Sequence, residues 1–90
     1  MSIKVSIPTI LRSYTANARS VETAGSSLAE VIADLDAQFP GIGERLIENG
    51  QLRRFVNIYI NDEDVRFLGS LEAPVADGDA VTVLPAVAGG

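Results

Sequence analysis

The chain has 90 residues, 47% hydrophobic and 21% charged, the balance of one small folded domain with room for a single core. Its net charge of -5 disfavours nucleic acid and anionic membranes as partners and favours basic protein surfaces. It has no cysteine and no histidine, which excludes disulfides, thiolate metal sites and the commonest general base.

The opening "MSIKVSIP" lacks the long apolar core of a signal peptide, and no apolar run approaches a membrane span, so a cytoplasmic protein is expected. Ile3, Val5 and Ile7 alternate with polar residues as in a half-buried strand, and Pro8 stops it. A second short strand is expected around Arg19 to Glu22. In "SSLAEVIADLDAQFPG", Ser27 and Glu30 fit a capping box, each satisfying an orphan amide of a first helical turn. Leu28, Val31, Ile32, Leu35 and Phe39 then share one helix face. Pro40 and Gly41 end the helix.

"GIGERLIENG" suggests one more helical turn and then a loop. "FVNIYI" is the strongest strand, with Val56, Ile58 and Ile60 on one face and Phe55, Asn57 and Tyr59 on the other. "NDED" turns the chain, and "VRF" is expected to pair back as a short edge strand. A tight turn at Asp77-Gly78 leads into a last strand, Ala80 to Leu84. The order is ββαβββ, an α+β sheet with one helix on one face. If the last strand lies beside the first, that pairing is parallel and both are interior strands. The expected core is Val5, Ile7, Leu28, Val31, Ile32, Leu35, Val56, Ile58, Val81 and Val83.

Few residues carry chemistry. Asp62 to Asp64 and the pair Asp77 and Asp79 lack the spacing of a calcium loop, and turn chemistry accounts for both. Glu30, Asp34 and Glu44 read as solvated helix residues. Gly41 and Gly43 open a GxGxxG whose third glycine is replaced by Leu46, and no phosphate loop is encoded. Arg53 and Arg54 read as a solvated pair at a strand's start, with an anion or an acidic partner as the other reading. Phe55, Tyr59 and Leu84 fall on the sheet face away from the helix. They are either a docking patch at the root of the tail or ordinary scattered surface hydrophobics.

The tail "AVAGG" follows Pro85. Stretched out, its five residues reach about 17 Å. Ala86, Val87 and Ala88 are small, and Gly89 and Gly90 have no side chain, so the backbone can thread a narrow channel. An idle terminus and a working one both remain open on composition alone.

The element order, the ending "ADGDAVTVLPAVAGG" and the terminal Gly-Gly resemble the ubiquitin-like β-grasp sulfur carriers of the ThiS/MoaD family. "VSIPTILR", "RFVNIYINDEDVRF" and "LPAVAGG" are most similar to that family's actinobacterial CysO type. The resemblance spans the whole chain. It implies a β-grasp domain over residues 1–85 and a flexible Gly-Gly tail over 86–90. It also implies that the chain is a carrier rather than an enzyme and binds no cofactor of its own. An E1-like adenylating and sulfurtransferase partner would spend ATP to convert the Gly90 carboxylate to an acyl-adenylate. A sulfur donor would then displace AMP and leave a thiocarboxylate nucleophile. For the CysO type the acceptor is an aminoacrylate held on pyridoxal phosphate by a cysteine synthase, and a zinc metallopeptidase trims the adduct to release cysteine. Related carriers feed thiosugar, thiazole or molybdopterin synthases, and a ubiquitin-like modifier of protein lysines is a further alternative.

Overall fold

In the computed structural model, residues 2–53 and 56–85 are described, Pro85 by its backbone alone. The alternating N-terminal segment forms β1, Ile3–Ser6. Pro8 then leads a 3-10 turn, Thr9–Leu11. The loop that follows is closed by the buried Thr15, whose hydroxyl donates to the Ala18 carbonyl at 3.0 Å. The second strand, β2, is Ser20–Thr23 and runs antiparallel to β1 with Val21 opposite Val5. It is set one residue later than the sequence pattern suggests, although Arg19 still accepts from the Ile7 amide at 2.8 Å.

The main helix, α1, is Leu28–Gln38, and its four inward residues Leu28, Val31, Ile32 and Leu35 are buried. Half of the expected capping box forms, with the Ser27 hydroxyl accepting from the Glu30 amide at 3.3 Å. The other half is shifted by one residue. The Glu30 carboxylate accepts from the Ser26 amide at 2.9 Å and the Ser26 hydroxyl at 3.0 Å, not from the Ser27 amide. The reason is tertiary: Ser27 bridges to Pro74, and the Leu28 amide donates to the Ala73 carbonyl at 2.9 Å.

Phe39 closes α1, and Gly41 turns the chain at a φ of 101°, a conformation glycine adopts without strain. A short second helix, α2, is Ile42–Leu46. The Asp36 carboxylate joins the two helices by accepting from the Gly41 amide at 3.1 Å and the Gly43 amide at 2.9 Å. Those glycines therefore receive a side chain of this same chain, which explains the partial phosphate-loop pattern without a phosphate.

The loop expected after α2 is instead a hairpin. Strands β3, Ile47–Glu48, and β4, Gln51–Leu52, pair antiparallel as a separate two-stranded sheet. Asn49 and Gly50 both have positive φ, 54° and 76°, the conformation that a two-residue hairpin turn requires. The next strand, β5, is Val56–Ile60, and the turn at Asn61 and Asp62 leads into β6, Glu63–Asp64. The segment "VRF" is not the edge strand expected of it. Residues Val65–Phe67 form a 3-10 turn, because the Asp64 carboxylate caps it by accepting from the Arg66 amide at 2.9 Å and Val65 turns into the core. A further 3-10 turn, Ser70–Glu72, precedes the last strand, β7, Ala80–Pro85.

The main sheet has the order β2-β1-β7-β5-β6, with β1 and β7 parallel and neither at an edge. This is the β-grasp arrangement, and α1 covers one face of it. Nine of the ten expected core residues are buried, and Val56 is half-buried against the cluster. Ile3, Leu11, Ile42, Leu46, Ile60, Val65, Ala73 and Val75 are the other buried core residues among those described.

Candidate functional site

The last strand, β7, carries the described chain to Pro85. Val81 and Val83 of β7 face α1, so Thr82 and Leu84 point to the opposite face. Across the β5 ladder Leu84 lies opposite Asn57, and Thr82 opposite Tyr59. Leu84 is 46% exposed and Tyr59 is half-buried. Both thus stand on the outer face, as their alternation predicts. That face is more polar than a continuous apolar patch. Arg66 reaches across its margin, donating to Asn57 Oδ1 at 2.8 Å and to the Val56 carbonyl at 3.1 Å. Phe55, the third expected docking residue, lies outside the described residues, as do Ala86, Val87, Ala88, Gly89 and Gly90.

A groove of about 1130 Å³ opens beside Leu84. One wall is the turn after β1, with Ile10 and Tyr14, and the other is the β3–β4 hairpin. Sequence reading did not find it. Its walls come from segments far apart in the chain, and only the Asn49-Gly50 dipeptide signals one of them.

The acidic motifs are structural. Asp79 accepts from the Ala76 amide at 2.9 Å and from the Asn61 side-chain amide at 3.0 Å, and Asn61 accepts in turn from the Ala80 amide at 3.0 Å. Among the described residues no group of three potential metal ligands converges. Arg53 also serves the fold: its Nε donates to the Glu44 carbonyl at 2.7 Å at the end of α2, and it pairs with Glu48 at 3.6 Å. Arg54 lies outside the described residues. Among the described residues no helix is long and apolar enough to cross a membrane.

The Ala76 backbone amide, followed by the Asn61 side chain, holds the Asp79 carboxyl below its ordinary value. The Ser26 backbone amide and hydroxyl do the same for Glu30. A carboxyl depressed in the folded state stabilises above its unfolded value, and that contribution is lost as pH falls through the folded value. Asp79→Asn is therefore expected to lower stability modestly at neutral pH and to converge with the parent chain in acid. Urea denaturation over a pH series checks this, and two curves that stay parallel down to acid pH would remove Asp79 from the acid response.

A profile of the ThiS family matches residues 5–90. The chain is 58% identical over 93 aligned residues to "Sulfur carrier protein CysO" of Mycobacterium tuberculosis, with all of both chains covered. It is 38% identical over 65 residues to "Small archaeal modifier protein 3" of Haloferax volcanii, covering 72% of this chain and 71% of that one. Its structure superposes on a chain of the Amycolatopsis orientalis BexX/CysO complex with a TM-score of 0.94 and 55% identity, covering 98% of this chain and 99% of that one.

Proposed function

Because the chain belongs to the ThiS family, we propose that it is a sulfur carrier, not itself an enzyme, whose working group is the Gly90 carboxylate. The observation that carries this reading is its full-length similarity to the CysO sulfur carrier. The geometry is consistent with it. The strand β7 pairs with β1 at residues 80–82 and with β5 at residues 81–85, so Leu84 and Pro85, the last described residues before the tail, are fixed in the ladder with β5.

A carboxylate is a poor acyl donor. In this proposal an E1-like partner joins the Gly90 carboxylate to the α-phosphate of ATP with release of pyrophosphate. A sulfide-level donor then forms the C–S bond and AMP departs. The thiocarboxylate attacks an electrophile held by an acceptor enzyme. Cysteine formation on a pyridoxal-phosphate-dependent cysteine synthase, with a zinc metallopeptidase releasing the product, is the leading route. A thiosugar, thiazole or molybdopterin synthase is the alternative acceptor. Neither the ATP nor the pyridoxal phosphate is bound by this chain in the proposed cycle, and residues 86–90 act as the tail that enters each partner. The BexX/CysO complex supports a protein partner for a chain of this kind. The similarity to a small archaeal modifier keeps a second reading, in which Gly90 is joined to protein lysines.

Intact mass after incubation with activating enzyme, ATP and a sulfur donor separates these. Replacement of one oxygen by sulfur is the expected result. Lysine adducts without sulfur would favour the modifier, and an unchanged mass would leave the tail without a role.

The outer face is the proposed docking surface, through Leu84, Tyr59 and Phe55. Leu84→Ala removes an exposed side chain that holds no place in the core, so the fold should persist. Binding to both the activating and the acceptor enzyme is expected to weaken about tenfold, the scale of a lost interface contact worth roughly 1.4 kcal/mol. Titration calorimetry of the folded variant checks this, and unchanged affinity for both partners would place the docking surface elsewhere.

A further inference from the structure

Two exposed large hydrophobic residues, Ile10 at 67% and Leu84 at 46%, line the same groove at the tail root. Beneath them are the buried Leu11 and Val83. The rest of the lining is mixed, with Asn49, Gln51 and Arg53 beside Leu52 and Val56, and apolar anchors set among polar groups are the usual make-up of a contact site.

The groove also holds a pre-set cation. Arg45 Nε donates to the Tyr14 hydroxyl at 2.8 Å, and the guanidinium carbon stands 5.9 Å from the centre of the Tyr14 ring. The hydroxyl bond is the main cause that holds the Arg45 charge more firmly than usual. A guanidinium fixed in this way loses little freedom when it meets a carboxylate. The groove's one described acid, Glu48, is paired with Arg53. Among the described residues Arg45 has no ion pair. A chain of net charge -5 thus presents, beside Leu84, a groove with an arginine that has no ion pair among the described residues, with Glu44 as its neighbouring acid.

Reach identifies what meets that cleft, on the reading that the tail works inside partner enzymes. Residues 86–90 extend about 17 Å at most, so an enzyme whose reaction centre holds Gly90 must bring its outer rim against Leu84. We propose that the groove docks an acidic-apolar segment of that rim, with a carboxylate on Arg45 and an aliphatic side chain between Ile10 and Leu84. Tyr14 acts by holding Arg45 in position.

The test compares Arg45→Glu, Tyr14→Phe and the parent chain by titration calorimetry against the activating enzyme at low and high salt, after urea denaturation shows each variant folded. Arg45→Glu is expected to weaken binding tenfold or more at low salt, with a smaller loss at high salt, and Tyr14→Phe to fall between. Thiocarboxylate should still form on Arg45→Glu at saturating enzyme, by intact mass. Unchanged binding, or a loss indifferent to salt, overturns the inference while the sulfur-carrier reading stands. An Arg45 side-chain NMR resonance that shifts in the free chain on removing residues 86–90 gives the groove to the chain's own carboxylate and also overturns it. So does a dimer in sedimentation that Arg45→Glu dissolves. No thiocarboxylate on the parent chain overturns the carrier reading and this inference with it.

Discussion

Adding a single residue after Gly90 is expected to abolish sulfur loading while leaving the urea midpoint unchanged. Adenylation needs a free carboxylate at the position that the partner's chemistry reaches, and a further residue converts the Gly90 carboxyl into an unreactive amide. Deleting Gly90 keeps a carboxylate but withdraws it by about 3.4 Å, far outside the tolerance of a positioned reaction. Gly89→Val should impair activation for a different reason, since a branched Cβ crowds a channel built for bare backbone. None of these changes touches the core, whose last contributors on β7 are Val81 and Val83. Intact mass reads the loading and urea denaturation reads the fold. An extended chain that loads sulfur at the normal rate without being trimmed would end the proposal that Gly90 is the working group.

Leu35→Ala should cost about 2–5 kcal/mol, a large part of the 5–15 kcal/mol that typically holds a domain together. Leu35 is 1% exposed on the inward face of α1, within the cluster that contains Val5, Ile58 and Val81. Truncation removes buried methyl groups and leaves a void that a sheet held on both sides of β7 cannot readily close. The urea midpoint should fall with little change in the slope of the transition. A loss well under about 1 kcal/mol would mean that the helix does not seat this face on the sheet.

The elements that were legible share one property: their signals are local. Period-two alternation in β1 and β5, helical spacing in α1 and turn chemistry at Asn61, Asp62 and Gly78 each act within a few residues, and the structure follows them closely. The hairpin from Ile47 to Leu52 was also locally encoded, by Asn49-Gly50 between Ile47-Glu48 and Gln51-Leu52, but its two-residue strands are too short to show alternation. "VRF" has the composition of a strand. It turns because Asp64 caps it and Val65 is drawn into the core, which composition does not record.

By itself the sequence determined the inward faces of helix and strands, the places where each must stop, and a tail of small residues and glycine after Pro85. Tertiary structure alone decided that β1 lies parallel to β7, that Glu30 caps through Ser26, and that Tyr14 meets Arg45 from 31 residues away in the lining of the groove. The reason is physical. Periodicity and turn preference are energies of neighbours along the chain, whereas these contacts exist only after long loops have closed, at an entropic cost that the burial of the whole core must offset.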